Sequence, residues 1–136
     1  MSEKPEKRFR IPNEDVKLTI SEASITQTRT FQRLFHLKQL GLAYLVYPCA
    51  THTRGGHSIQ CLNEATKILR SLTPPINEDS DDFSAVRIAA LLHDIGHIPF
   101  SHTLEDEHEV FAEKHDKADR LNRVLDLVNS TSKCTK

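Results

Sequence analysis

Ala89-Ala90-Leu91-Leu92-His93-Asp94-Ile95-Gly96-His97-Ile98-Pro99-Phe100-Ser101-His102 is the stretch that decides the fold. Upstream of it, Phe83, Ala85, Val86, Ile88 and the residues to Leu92 are apolar on nearly every side of a helical projection, which predicts a buried central helix over about 81–95. That helix ends in His93-Asp94, Gly96 permits a sharp turn, and His97 and His102 follow. A buried helix does not end in imidazole and carboxylate unless something pairs with both. A divalent metal pairs with both, so the segment points to a metal-dependent hydrolase.

Working outward, Ser80 before Asp81-Asp82 makes a good helix entry, because carboxylates favour a helix N-terminus. Residues 76–82 read as an exposed acidic loop. A second helix is predicted over about 56–72, with Ile59, Leu62, Ala65, Ile68, Leu69 and Leu72 as its stripe and Thr73-Pro74-Pro75 as its end. A third spans about 28–40, where Phe31, Leu34, Phe35, Lys38 and Leu42 share a side and Gly41 marks the stop. In residues 11–20, Val16, Leu18 and Ile20 alternate with polar neighbours, the pattern of a short extended segment. A final helix is predicted over about 105–128, its apolar side made by Phe111, Leu121, Val124, Leu125 and Val128. The expected fold is all-α, a helical bundle over residues 11–129, with a charged flexible N-terminus at 1–10 and a polar tail at 130–136.

The chain of 136 residues suits one domain, and 38% hydrophobic with 27% charged residues is ordinary for a globular one. A formal net charge of −1 argues against broad electrostatic binding to nucleic acid or anionic membrane. The first ten residues have no apolar core for a secretory signal, and the longest apolar stretch, 40–50, is too short to span a bilayer. Cys49, Cys61 and Cys134 form no Cys-x-x-Cys pattern, so reduced thiols in a cytoplasmic protein are expected, with Cys49 and Cys61 as small buried apolar residues.

Eight histidines are many for this length. His57 opens one predicted helix and His93-Asp94 closes another, so crossing helices can bring those ends together. In isolation His57 is a helix N-terminal residue making a local hydrogen bond; beside His93-Asp94 it becomes a candidate ligand. Neutral imidazole and carboxylate suit Fe, Mn, Zn or Ni, and a mixed shell with open positions suits a catalytic ion that activates water. His97 and His102 are candidates for donating protons or holding phosphate oxygens, and Arg54 offers a forked phosphate donor. For His36, His52 and His108 an exposed or half-buried imidazole is the default.

Phe31-Gln-Arg-Leu34, Lys38-Gln-Leu-Gly41, Tyr47-Pro-Cys-Ala50, His52-Thr-Arg54-x-x-His57-Ser58 and His93-Asp94-Ile-Gly96-His97-Ile-Pro99-Phe100-Ser101-His102 occur in that order. The series resembles the HD-domain phosphohydrolases, in particular the branch of deoxynucleoside triphosphate triphosphohydrolases, over about residues 11–110. The resemblance implies an all-α bundle that uses a metal-activated water to release deoxynucleoside and triphosphate. Other members cleave different phosphoesters, so a nucleotide or related phosphoester is the expected substrate class.

By motif, the resemblance implies His57, His93 and Asp94 as metal ligands. It implies His97 and His102 as active-site histidines and Arg54 as a phosphate contact. It also implies a histidine followed by an acidic residue after the turn, which either His108-Glu109 or His115-Asp116 fits, and a homo-oligomer. A bulky residue and Glu usually stand where this chain has Gly55 and Gly56, and Gln60 replaces a usual Gly. The usual fourth ligand is an Asp on a later helix; Asp119 is the first candidate and Asp126 a weaker one. The alternative expectation is a short, truncated or catalytically inactive module that binds nucleotide or a protein partner.

Overall fold

The computed structural model describes residues 7–11 and 14–100, together with Asn122 and Asp126. Two strands come first, β1 (Lys7–Ile11) and β2 (Glu14–Leu18), paired antiparallel with Phe9 opposite Val16 and Lys7 opposite Leu18. The two-residue period puts Val16 and Leu18 in the core and leaves Asp15 and Lys17 outside, while Glu14, exposed at the start of the strand, accepts from Asn63 and Lys67 of the 54–71 segment. The hairpin therefore lays one apolar face on the helices, and the architecture is helical with a small antiparallel sheet rather than purely α. Its first strand overlaps residues 7–10 of the segment expected to be a charged lead, and Phe9 and Ile11 pack against the core.

Helix α1 (Ile20–Thr26) starts at a reciprocal cap: the Glu22 amide donates to Thr19 Oγ1 at 3.3 Å, and the Thr19 amide donates to Glu22 Oε2 at 2.8 Å. Helix α2 (Arg29–Gln32) is a single turn capped by Thr28, and the chain tightens into a 3-10 turn over Arg33–His36. The uninterrupted helix expected over 28–40 does not form. Leu37 is extended, and an antiparallel bridge joins Lys38 to Thr53, with the Gln39 amide donating to His52 O at 3.0 Å and the Arg54 amide to Leu37 O at 2.9 Å. Those bonds between the 37–39 and 52–54 segments need an extended backbone, and they outcompete continuation of the helix. Phe31 and Leu34 are nevertheless fully buried, as their spacing predicts. Gly41 takes the left-handed conformation (φ 55°) that ends this stretch.

Helix α3 (Arg54–Ser71) carries Ser58, Ile59, Leu62, Thr66 and Leu69 on its buried face and is capped by Thr53, which accepts from the Gly56 amide at 3.2 Å. Helix α4 (Asp81–Leu92) is capped by Ser80 and packs along α3. Only Phe83, Arg87 and Leu91 are buried on α4, while Ser84, Ala85, Val86 and Ala89 are exposed, so it is one-sided rather than buried all round. Val16, Leu18, Ala23, Phe31, Leu34, Leu37, Ile59, Leu62, Leu91 and Ile95 form one core beneath the α3–α4 pair. The helix expected over 105–128 lies outside the described residues, apart from Asn122 and Asp126, which are helical and exposed.

A buried arginine ties the layers together. Arg87 donates Nε to Glu22 Oε1 at 2.7 Å and Nη2 to Glu22 Oε2 at 2.8 Å, gives Nη1 to Thr66 Oγ1, and gives Nη2 to Lys17 O at 3.0 Å. Thus α4 is pinned to α1, α3 and β2 through one guanidinium. Burial alone would raise the Glu22 carboxyl, but the bonds from Arg87 and Thr19 outweigh it and the net position is below 4.5. Gly55 explains another close approach: a Cβ there would sit 2.6 Å from the Phe35 ring, which stacks on Phe9 at 5.6 Å. Its missing side chain lets α3 meet Phe35, so the glycine serves packing.

Candidate metal centre

The first turn of α3 and the last residues of α4 face each other. His57 lies one turn into α3, its amide donating to Thr53 O at 3.0 Å. His93 caps α4, and its Nδ1 sits 2.9 Å from Ala90 O. With the proton on Nδ1 for that bond, Nε2 keeps its lone pair for a ligand. The chain then turns tightly, the Ile95 amide donating to Leu92 O at 2.9 Å and the His97 amide to Asp94 O at 3.1 Å. Arg33 donates to the carbonyls of Ile95 and His97, holding the turn that follows α4.

Asp94 is the hub of this turn. Its Oδ1 lies 3.3 Å from His93 Nε2 and 3.5 Å from His97 Nε2. Its Oδ2 accepts from Arg54 Nη1 at 2.7 Å and lies 4.0 Å from His57 Nε2. The His57 and His93 rings meet edge to face with centroids 5.2 Å apart. Arg54, Asp94 and His97 are buried, whereas His57 is half-buried and His93 exposed. Two imidazoles thus stand at the rim of a buried carboxylate–arginine floor. Desolvation lowers the His57 pKa below 6.5, with His93, Arg54 and His52 adding to it and Asp94 opposing it, which favours the neutral, ligand-competent ring.

These donors fit one divalent ion. Metal–nitrogen and metal–oxygen bonds of about 2.0–2.2 Å place neighbouring donor atoms roughly 3–4 Å apart, and the 3.3 Å from His93 Nε2 to Asp94 Oδ1 matches; His57 Nε2 lies 4.0 Å from the other oxygen, Oδ2, which Arg54 holds. Cys61 also reaches the site, one turn after His57 on α3, with Sγ 3.5 Å from His57 Nε2. The donor atoms of His57, Cys61 and His93 all lie within 4.8 Å of one another. Desolvation raises the Cys61 thiol, with Asp94 and Glu64 adding to it.

Of the residues expected at a site, His57, His93, Asp94, Arg54 and His97 come together. Arg54 is 1% exposed and faces Asp94 and Gln39 O, and His97 is equally buried behind the carboxylate. His36 and His52 are exposed. His102, His108, His115 and Asp119 lie outside the described residues. Cys49 is exposed instead of buried, and Cys61 is half-buried at the site rather than a core residue. The i+4 spacing of Cys61 from His57 is the signal that places its thiol on the same helix face. No helix among the described residues is long and apolar enough to cross a membrane.

Residues 54–133 match the model of the HD domain. The chain belongs to the HD-domain family. This HD domain is 46% identical over 105 residues to an uncharacterized protein of Methanocaldococcus jannaschii, a match covering 75% of this chain and 22% of the relative. It is 45% identical over 84 residues to deoxynucleoside triphosphate triphosphohydrolase SAMHD1 of Danio rerio, covering 57% of this chain and 13% of that protein. Among solved structures, a phosphohydrolase from Bacteroides thetaiotaomicron superposes with a TM-score of 0.79 at 32% identity, covering 95% of this chain and 32% of that one. The chain therefore spans less than a quarter of the length of these two curated relatives. The family and the donor chemistry together support a divalent-metal site and hydrolase-type chemistry.

Proposed function

We propose that this HD domain is a metal-dependent phosphohydrolase acting on a nucleotide, a deoxynucleoside triphosphate first among the candidates. The observation that carries the reading is the convergence of His57, His93 and Asp94 at facing ends of α3 and α4. The names of the relatives, a deoxynucleoside triphosphate triphosphohydrolase and a phosphohydrolase, support the substrate class.

In this reading His57 Nε2, His93 Nε2 and Asp94 hold the ion, one of Fe, Mn, Zn or Ni. When bound, such an ion supplies water activation near neutral pH and neutralises charge on phosphate. Asp94 is a ligand only if its carboxylate is held still, and Arg54 on one oxygen with His97 near the other does that. Ala90 O fixes the His93 ring. Arg54 also places a permanent positive charge at the floor of the site, which favours a phosphate above it. His102 and either His108 or His115 are the proposed proton-handling groups, and Asp119 the proposed further ligand.

The test is chromatographic. Purified protein with Mn, Fe or Zn supplied is incubated with each deoxynucleoside triphosphate and with nucleoside monophosphates. Deoxynucleoside and triphosphate should appear, and Asp94→Ala should abolish them. Nucleotide that binds to the wild type yet stays intact with every metal would contradict the reading and indicate an inactive binding module.

A further inference from the structure

We propose that Cys61 is a metal ligand of this centre, making it a mixed nitrogen, oxygen and sulfur site. The inference rests on the reading of His57, His93 and Asp94 as ligands and adds a residue of this chain to it.

Three observations converge. First, Asp94 Oδ2 is already taken by Arg54 at 2.7 Å, so Oδ1 is the carboxylate oxygen left for an ion. His57, His93 and that oxygen are three donors, which leaves the shell of a transition-metal ion room for a sulfur. Second, the Cys61 sulfur lies 3.5 Å from His57 Nε2. Bonds of about 2.3 Å to sulfur and about 2.05 Å to nitrogen, at a tetrahedral angle, put those two atoms about 3.6 Å apart. Third, the donors come from two directions: His57 and Cys61 sit one turn apart on α3, and His93 approaches from the end of α4, with all three donor atoms inside 4.8 Å. A thiol serving only to fill space has no need to share that point with two imidazoles.

On binding, the S–H bond breaks, its proton passes to the solvent, and a sulfur lone pair forms the metal–sulfur bond. A thiolate shifts preference toward Zn, Co or Cd and away from Mn and Mg, which favour oxygen donors.

The experiment uses Co(II) as the probe, because a thiolate–Co(II) bond gives a near-ultraviolet charge-transfer band that nitrogen and oxygen donors do not. Apo protein is loaded with Co(II), bound cobalt is quantified by elemental mass spectrometry, and spectra are taken of the wild type, Cys61→Ser and a Cys49→Ser/Cys134→Ser variant. Circular dichroism checks that each is folded. The band should appear in the wild type and in Cys49→Ser/Cys134→Ser. It should vanish in Cys61→Ser even though cobalt still binds. Zn affinity of Cys61→Ser should fall by more than about tenfold, the scale on which even outer-sphere partners act, with Mn affinity little changed. Cobalt bound by the wild type without the band, or a band that survives in Cys61→Ser, would overturn the assignment of Cys61 and leave the other ligands standing. A wild type that takes up no cobalt, zinc or manganese would overturn the underlying reading with it.

Discussion

Replacing Arg87 with Ala should cost this domain a large share of its stability. The guanidinium gives Glu22 two charge-assisted bonds, at 2.7 and 2.8 Å, and also serves Thr66 and the Lys17 carbonyl. Glu22 is 2% exposed, so Arg87→Ala strands its carboxylate with only the Thr19 cap. Breaking such a buried pair costs about 3–5 kcal/mol, against a total of about 5–15 kcal/mol for a domain. In urea the midpoint should fall with little change in slope, and Tm should drop by roughly 10–20 °C. The double variant Glu22→Gln/Arg87→Met should be milder than Arg87→Ala, because no charge is left buried and the introduced amide can still accept from the Thr19 N–H. The sign of the pH dependence is set by Glu22, whose folded pKa lies below the ordinary 4.5. Its contribution is present above that value and is lost as pH falls through the lowered one, so the gap between wild type and Arg87→Ala should close in acid. An Arg87→Ala cost below about 1 kcal/mol, or a gap that widens as pH falls, would refute the reasoning.

Other consequences are independent of that pair. Gly55→Ala forces a Cβ to within 2.6 Å of the Phe35 ring, an overpacking of about 1–3 kcal/mol set against about 1 kcal/mol of helix propensity; a lower Tm is expected, and Gly55→Ala/Phe35→Leu should recover it. Arg54→Ala should weaken metal binding more than Arg54→Lys, since lysine keeps a charge beside Asp94; equal affinities by titration calorimetry would contradict this. In metal-free protein, NMR titration of His57 should give a midpoint below 6.5, and replacing His93 with Ala should raise it. A midpoint above 6.5 would mean that Asp94 outweighs burial.

The frame of the site is written locally. Ser80 before Asp81-Asp82 fixes the start of α4, Thr53 caps α3, and Ile59, Leu62 and Leu69 mark the buried face of α3. Helix α1 is less visible because seven residues give barely two turns of periodicity; Thr19-x-x-Glu22 is its one clear signature. The break at Leu37 is invisible to spacing, since Phe31 and Leu34 satisfy a helix and a helix followed by a 3-10 turn equally well. What decides it is the bridge from Lys38 to Thr53, a contact between segments far apart in sequence. The Glu22–Arg87 pair is hidden for the same reason, because a charge at a core-facing position of α4 identifies no partner 65 residues away. At the centre, His57, His93 and Asp94 are legible as helix-end residues. The turn of Arg54 toward Asp94 and the reach of Cys61 are properties of packing.

Metal content, measured by elemental mass spectrometry on wild type, His57→Ala and Asp94→Asn purified without chelator, tests the centre most directly. About one transition-metal ion per chain is expected in the wild type and little in either variant. Equal metal in all three proteins, or a wild type that stays empty when metal is added, would contradict a centre built on His57, His93 and Asp94.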